Sequence, residues 1–171
     1  MGSEVKLKGE IVEPYNGYKG TERQKKYDVY KKLQAQGLSV PADTPCQLCG
    51  DDDKELHIEP HSEDYSKPYK WTPPAEYMVC RRCHGWIHKR FAKPDDWTDF
   101  KAHVKRGGYA WEFTSREGAT ERRAAAEARK NGSTFKWEPI KGRVVRSGDL
   151  WWEGLTTDPA SLTAKWARPR P

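Results

Sequence analysis

The sequence predicts an α+β protein with a small, zinc-stapled core, and three observations lead to this prediction. The four cysteines form two CxxC pairs, Cys46–Cys49 and Cys80–Cys83. A strand pattern lies between the pairs, and a helical pattern follows the second pair. Hydrophobic residues make up 35% of the chain and charged residues 33%, so the hydrophobic core must be small and a bound metal is its expected support. We therefore expect two short strands and a helix around the metal, with flanking helices and a C-terminal β-hairpin.

The two cysteine pairs are the strongest chemical signal in the chain. A CxxC turn points two thiolates at one position, and two such turns supply the four sulfur ligands that tetrahedral Zn²⁺ prefers. The alternatives are two disulfides or a redox motif. The chain begins without a secretory leader, which disfavours disulfides, and neither pair lies in a thioredoxin-like βαβ pattern. The predicted ligands of a structural zinc ion are Cys46, Cys49, Cys80 and Cys83.

The charge balance suggests what the protein binds. The net charge of +6 and the isoelectric point near 9.1 favour a polyanionic partner, because Lys and Arg side chains that contact phosphates release condensed counterions. A basic protein without such a partner is the alternative. No apolar run approaches the roughly 20 residues that cross a bilayer. With no membrane span and no leader, we expect a cytoplasmic protein.

The N-terminal part is predicted to be an arm followed by a helix. Residues 1–20 are polar and glycine-containing, which favours a flexible or loosely docked arm. Thr21 and Gln24 have the spacing of a capping box, and the helix they start should continue to about Gln36, where Gly37 ends it. One face of this helix is basic, and its side chains are expected to be solvated or to follow phosphates: Arg23, Lys25, Lys26, Lys31 and Lys32.

A strand is predicted between the cysteine pairs, over residues 55–61. Its period of two places His57, Glu59 and His61 on one face. Two imidazoles beside a carboxylate are unusual on a packed face and typical of an active site. The alternatives for these histidines are spare zinc ligands or ordinary surface residues.

A second strand over residues 77–79 should lead into a helix over residues 80–91. His84 and His88 are four residues apart and therefore share one face of that helix. Four basic residues surround this face and could position a phosphate backbone, although each could equally be a solvated side chain: Arg81, Arg82, Lys89 and Arg90.

The rest of the chain is predicted to contain two helices and a hairpin. One helix begins at Pro94 and ends before Gly107, and an Ala/Arg/Glu-rich stretch over residues 115–131 is an exposed helix or a linker. Residues 143–152 carry a hairpin pattern. The expected organisation is an arm over 1–20, a helix and linker over 21–45, the core and a following helix over 46–110, an Ala/Arg/Glu-rich helix over 111–133, and a Trp-rich hairpin with a basic tail over 134–171.

The segment from Cys46 to Phe91 resembles the HNH endonucleases with a zinc-bound ββα-metal core. In that family a CxxC pair precedes a strand with the motif Asp-His-Ile-x-Pro and a loop with Asn. A second CxxC pair then runs directly into a histidine at the head of a helix. Residues 57–60, His-Ile-Glu-Pro, match the strand motif, and residues 80–84, Cys-Arg-Arg-Cys-His, match the start of the helix. The resemblance covers about a quarter of the chain.

The resemblance implies roles for the histidines. His57 would be the general base that activates water, and His84 would hold a catalytic divalent ion, Mg²⁺ or another. The pair His84 and His88 is also similar to the HxxxH helix of colicin-type nucleases, in which both histidines ligate metal. In a second register, His61 is the base and Glu59 or His57 supplies a further ligand. The base is therefore His57 or His61, with His57 favoured by the Ile and Pro that follow it.

Two departures from the family motif lead to alternative functions. Leu56 stands where the family has an acidic or imidazole ligand, and the loop over residues 62–76 contains no Asn. The first hypothesis is a metal-dependent HNH-like nuclease of a bacterium or mobile element that cuts DNA, with RNA as another candidate substrate. The second is a non-catalytic zinc module that binds nucleic acid. The third is an adaptor whose Trp-rich C-terminal hairpin binds a protein.

Overall fold

The structure, a computed structural model, describes residues 13–38, 45–72 and 75–162. Its elements in chain order are α1 (Gly20–Ala35), β1 (Ile58–His61), β2 (Tyr77–Cys80), α2 (Arg81–Lys89), α3 (Pro94–Lys105), α4 (Ala110–Phe113), α5 (Arg116–Lys130) and a 3-10 turn (Pro159–Leu162). The strands β1 and β2 pair as a two-stranded sheet. This mixture of helices with a small sheet confirms the α+β prediction.

Parts of four predicted segments lie outside the described residues. These are residues 1–12 of the N-terminal arm, 39–44 of the linker, 73–74 of the core, and 163–171 of the basic tail. The chain divides into two compact units. Of the described residues, unit 1 comprises 13–38, 61–72, 75–77 and 158–162, and unit 2 comprises 45–60 and 78–157.

In unit 1, α1 forms where the sequence predicts a helix, but its first turn lies earlier. The N-cap is Lys19, whose amide donates to Glu22 Oε2 at 2.8 Å, so the cap precedes the predicted Thr21. The helix ends at the predicted glycine. Gly37 has φ +68, a left-handed conformation that glycine adopts without strain, and the turn lets Leu38 N donate to a carbonyl of the last helical turn.

The interior of unit 1 is built around Lys26, which is completely buried. The expectation that this lysine is solvated is therefore wrong. Its Nζ donates to Ser62 Oγ at 2.6 Å, to the Asp64 carbonyl at 2.6 Å and to the Ala75 carbonyl at 3.1 Å. The ammonium also lies 4.8 Å from the centre of the Trp71 ring, a cation–π distance. These contacts hold α1 against the segment that follows β1.

The hydrophobic core of unit 2 is an aromatic cluster between α2, α3 and α4. Trp86 stacks on Phe100 at 5.5 Å and meets the edge of Phe113 at 5.1 Å, and Trp97 stacks on Phe100 at 5.7 Å. All four rings are buried. Ring pairs at these distances stabilise a core beyond the area they bury. This cluster supports the helix that carries the second cysteine pair.

The Ala/Arg/Glu-rich stretch forms a packed helix, α5. Its N-cap is Ser115, whose Oγ accepts from Gly118 N at 3.1 Å. Gly118 lies so close to α4 that an added Cβ would stand 2.1 Å from the Glu112 carbonyl oxygen. Glycine at this position therefore lets α5 approach α4, and Ala125 is buried farther along the same helix.

The predicted C-terminal β-hairpin is wrong. Residues 143–152, all of which the structure describes, contain no strand. Arg146 N donates to the Lys105 carbonyl at 2.8 Å, at the end of α3. Trp151 Nε1 donates to the Gln47 carbonyl at 3.1 Å. The segment thus forms hydrogen bonds with α3 and the first cysteine turn, and the alternating sequence pattern does not lead to internal strand pairing.

Candidate functional site

Four buried cysteines converge in unit 2 where β2 leads into α2. Cys80 ends β2 and is the N-cap of α2, while Cys83 lies in the first turn of that helix. Cys46 and Cys49 form the turn before β1, and all four Sγ atoms lie within 4.8 Å of one another. In a tetrahedral zinc site with bonds of about 2.3 Å, sulfur atoms are about 3.8 Å apart. The four cysteines therefore lie close enough to hold a metal ion and could bind zinc.

Backbone amides support the negative charge that metal-bound sulfur carries. Cys80 N donates to Cys46 Sγ at 3.2 Å, and Cys83 N donates to Cys80 Sγ at 3.5 Å. Hydrogen bonds from Cys49 and the other two thiols lower the pKa of Cys46, whereas burial raises the pKa of Cys83. The donor set is all sulfur, which suits Zn²⁺ and does not suit Mg²⁺ or Ca²⁺. The chemistry of these residues fits the predicted structural zinc ion.

A second group of side chains in unit 2 contains three imidazoles and one carboxylate. We call it the imidazole cluster, and its members are His57, Glu59, His84 and His88. His84 Nδ1 lies 2.6 Å from Glu59 Oε2, and His57 Nε2 lies 3.3 Å from Glu59 Oε1. The Nε2 atoms of His84 and His88 are 3.0 Å apart. Glu59 thus contacts an imidazole with each of its carboxylate oxygens.

The carboxylate defines the orientation of the His84 ring. Because a carboxylate oxygen only accepts, the His84 nitrogen that faces Glu59 is assigned as the protonated Nδ1, and the lone pair is then at Nε2. A carboxylate that orients a histidine in this way is the usual partner of a metal-ligating imidazole. Two nitrogens bonded at about 2.1 Å and at right angles to one ion are about 3.0 Å apart. The separation of the His84 and His88 nitrogens fits that geometry.

The imidazole cluster is open to solvent at one side. The His57 side chain is 71% exposed, while those of Glu59 and His84 are about one quarter exposed. Next to His57 lies a cavity of about 500 Å³, which Arg81 and Arg82 also line. Leu56, which has no atom that can coordinate a metal, lines the same cavity. The cavity combines an accessible imidazole with two cationic side chains.

The other two basic residues that were predicted to contact phosphate have different environments. Lys89 is exposed, and its ammonium lies 5.1 Å from the centre of the Trp86 ring. Arg90 is fully buried, and its guanidinium donates to the Ile87 and Thr156 carbonyls, each at 2.8 Å. These bonds place Arg90 in the packing of unit 2.

The other candidate base, His61, belongs to unit 1 and is buried. Its Nε2 lies 2.6 Å from Glu63 Oε1, and the Tyr15 ring meets its ring edge-on at 5.9 Å. Tyr15 also donates a hydrogen bond from its hydroxyl to Glu63. His61 is thus an imidazole oriented by a carboxylate, an arrangement that suits a base or a ligand.

Two ionisable side chains in unit 1, Lys26 and Glu76, are buried. Burial lowers the pKa of Lys26 to about 8, and burial raises the pKa of Glu76 to about 7. In the sequence, Lys26 is one of several lysines on a polar helix and Glu76 is one acid in a proline-rich loop. Only their burial distinguishes them, and no sequence pattern contains that information.

The fifth histidine, His103, lies outside both clusters and has a packing role. Its Nε2 lies 3.0 Å from the Tyr109 carbonyl, and its Nδ1 lies 3.0 Å from an Arg106 guanidinium nitrogen. A ring nitrogen that accepts from a guanidinium must carry a lone pair, so this imidazole is neutral. Burial accordingly lowers the pKa of His103.

Comparison with known proteins does not place this chain in a family. In the part of the chain that the structure describes, no helix is long and apolar enough to cross a membrane. No protein-family model, no curated protein and no solved structure matches the chain.

Proposed function

We propose that this protein is a metal-dependent endonuclease that hydrolyses phosphodiester bonds in DNA and has an HNH-like zinc-stapled core. One observation carries the proposal. His84 and His88 present nitrogens 3.0 Å apart beside an accessible imidazole, and a carboxylate holds His84 at 2.6 Å. Such a group can hold a divalent ion and move a proton at the same place, which are the two requirements of phosphodiester hydrolysis.

The cysteine cluster supports the proposal by fixing the helix that carries the ligands. Cys83 and His84 are consecutive residues in the first turn of α2. A metal bound by Cys80 and Cys83 would therefore hold the end of β2 and the start of α2 in one geometry. A ligand displaced by 1 Å loses much of its catalytic value, so a rigid support of this kind is expected next to a catalytic centre.

In the proposed mechanism, His84 and His88 would hold the divalent ion. The ion would supply positive charge that stabilises the negative charge developing during phosphodiester hydrolysis. His57 takes the proton from the attacking water, and Glu59 stabilises the charged imidazole through its Oε1 at 3.3 Å. In this mechanism Glu59 orients two imidazoles. The earlier prediction that Glu59 is itself a ligand remains a second assignment.

The basic side chains at the neighbouring cavity would bind the substrate backbone. Arg81 and Arg82 line the cavity of about 500 Å³ together with His57. A guanidinium binds phosphate oxygens in a bidentate manner without reading the sequence of bases. Lys89, exposed farther along α2, would add one more backbone contact.

Cleavage of supercoiled plasmid tests the proposal. The zinc-loaded protein is incubated with Mg²⁺, Mn²⁺ or Ni²⁺, with a reaction lacking added divalent ion as the blank. We expect metal-dependent nicking or linearisation that His84→Ala lacks. Gly85→Ala is the matched control, because its added Cβ has nothing within 4 Å and the imidazoles remain. Both variants must keep the zinc content of the wild type and must be folded at the assay temperature.

The same assay assigns the base. We expect His57→Ala to lower the cleavage rate by about 10² to 10⁴ without changing DNA binding. If His61→Ala has this effect and His57→Ala does not, the second register is correct. Intact plasmid in every ion, from a protein that still holds one zinc, would overturn the nuclease proposal.

The second candidate function is a zinc module that binds nucleic acid without cleaving it. Leu56, which cannot coordinate a metal, is the observation that favours it. This alternative predicts no cleavage, together with a binding constant for DNA that falls steeply as salt rises.

A further inference from the structure

A separate cavity of about 310 Å³ lies in unit 2 between α3, α5 and the segment after α5. Its volume is at the lower end of the range for small-ligand sites. Asp99 and Arg129 supply its charged groups, and Phe135 and Trp137 supply its aromatic groups. We call it the α3–α5 cavity. It shares no lining residue with the imidazole cluster.

The carboxylate in this cavity is buried and only partly neutralised. Asp99 is 5% exposed, and its Oδ1 accepts from an Arg129 guanidinium nitrogen at 2.6 Å. Burial raises the pKa of Asp99 against the opposing effect of this bond. A carboxylate has about four acceptor positions, so Asp99 can accept further hydrogen bonds while paired to Arg129. The cavity therefore presents acceptors beside a cationic donor.

The aromatic residues give the cavity an apolar wall. Phe135 meets Trp137 edge-on at 5.0 Å, and the Arg106 guanidinium lies 4.9 Å from the centre of the Trp137 ring. Both aromatic side chains are partly exposed although a buried core lies next to them. Planar heterocycles such as nucleic-acid bases stack on such rings.

We propose that the α3–α5 cavity binds an unpaired guanine base, with Asp99 accepting from its N1–H and N2 amino groups and Arg129 donating to O6. The Watson–Crick edge of guanine carries an acceptor followed by two donors, which matches a guanidinium beside a carboxylate. Adenine and cytosine place a ring-nitrogen lone pair against the carboxylate. The pairing of Asp99 with Arg129 therefore favours guanine over adenine and cytosine, and guanine adds a second donor, its amino group, that thymine lacks.

The same two helices provide a place for the attached phosphate. A cavity of about 430 Å³ is lined by Asp96 of α3 and by Arg116, Arg122 and Arg123 of α5. Arg122 and Arg129 are seven residues apart and share one face of α5. A strand whose base enters the α3–α5 cavity can thus meet cationic side chains along that face. The inference rests on the proposed function in taking nucleic acid as the ligand.

Calorimetric titration with mononucleotides tests the inference. GMP, IMP, AMP and CMP are titrated into the zinc-loaded protein without added divalent ion. We expect GMP to bind at least tenfold more tightly than AMP or CMP. IMP, which keeps O6 and N1–H but lacks the amino group, should be intermediate. All four ligands carry the same phosphate, so differences between them report contacts to the base.

Two variants assign the contacts. Asp99→Asn should remove the preference for GMP over AMP, and Trp137→Ala should weaken GMP binding at least fivefold. Glu127→Gln is the matched control, since it removes one carboxylate from an exposed position of α5. Three results would each overturn the inference. The first is equal binding of GMP and AMP, and the second is an unchanged preference for GMP over AMP in Asp99→Asn. The third is the absence of saturable GMP binding up to about 10 mM, ten times a dissociation constant of about 1 mM that is typical of a weak site.

The outcome is independent of nuclease activity. The titration measures binding in the absence of a catalytic ion, so guanine binding without plasmid cleavage would retain the inference and reject the nuclease. Plasmid cleavage without selective GMP binding would retain the nuclease proposal and reject the guanine site.

Discussion

Replacing the buried Glu76 by glutamine should stabilise the protein, and more strongly as the pH rises. Glu76 is 2% exposed, and neither of its carboxylate oxygens has a hydrogen-bond partner among the described residues. Burial raises its pKa from 4.5 to about 7, although the nearby charge of Lys26 acts in the opposite direction. The Glu76→Gln variant keeps the shape of the side chain and removes its ionisation.

The sign follows from proton linkage. Since the pKa of Glu76 is higher in the folded protein than in the unfolded chain, the folded state holds this proton more tightly. The stability that the proton contributes is fully present below pH 4.5 and is lost as the pH rises through about 7. Glutamine has no proton to lose, so the variant avoids this loss.

The size of the effect follows from the same two pKa values. A difference of about 2.5 pH units corresponds to about 3 kcal/mol at full ionisation, since one unit is worth about 1.36 kcal/mol. At pH 5.5 only about 1.4 kcal/mol of this cost is present. We therefore expect the free energy of unfolding of Glu76→Gln to exceed that of the wild type by about 1 kcal/mol at pH 5.5 and by about 3 kcal/mol at pH 8.

Urea denaturation followed by circular dichroism at several pH values between 5.5 and 8 measures this difference. Protonation of the four clustered cysteines affects both proteins equally and cancels in the comparison. Glu127→Gln, at an exposed position, should change the free energy of unfolding by less than about 0.5 kcal/mol at every pH. A difference that does not depend on pH would refute the reasoning. Destabilisation of Glu76→Gln at pH 8 would also refute it, by showing that Lys26 requires the carboxylate as its counterion.

Three further predictions concern unit 2. The protein should bind one zinc ion per chain by elemental analysis, and Cys83→Ser should lose it together with several kcal/mol of unfolding free energy; full zinc content in the variant would contradict the site. Because burial lowers the pKa of His103, the folded state favours the neutral imidazole over the charged one. The stability that the neutral imidazole contributes is present above pH 6.5 and is lost as the pH falls below that value. The pH dependence of urea unfolding should therefore be weaker in His103→Gln. Gly118→Ala should destabilise by more than about 2 kcal/mol through the contact of its Cβ at 2.1 Å with a carbonyl oxygen, whereas Gly85→Ala, with nothing within 4 Å, should be neutral or stabilising by up to about 1 kcal/mol; equal melting temperatures of the two variants would reject this explanation.

The elements that could be predicted from the sequence are those that depend on neighbouring residues. The helix end at Gly37 and the helix start at Pro94 each depend on groups within a few positions of the chain. The hairpin over residues 143–152 was also predicted from a local sequence pattern, and this prediction is wrong. Its backbone instead bonds to Lys105, 41 positions before Arg146, and the local pattern carries no information about such a partner.

The cysteine cluster could be predicted because its chemistry restricts the solutions. Two CxxC turns with no other cysteine in the chain predict one four-sulfur metal site. The spacing within each turn already brings its two sulfurs together. The imidazole cluster was predicted in part. The face of α2 that carries His84 and His88 follows from a four-residue spacing, but the contact of Glu59 with two imidazoles depends on how β1 lies against α2.

The sequence by itself determined the α+β class, the helices α1, α2 and α3, and the four cysteines that could bind zinc. Helix periodicity, capping and CxxC geometry act over a few residues and need no knowledge of distant contacts. Only the tertiary structure decided that Lys26 and Glu76 are buried, that Arg90 belongs to the packing, and that Asp99 meets Arg129 in a cavity. The charge and solvation of these side chains depend on residues from 30 to 66 positions away, which burial brings together.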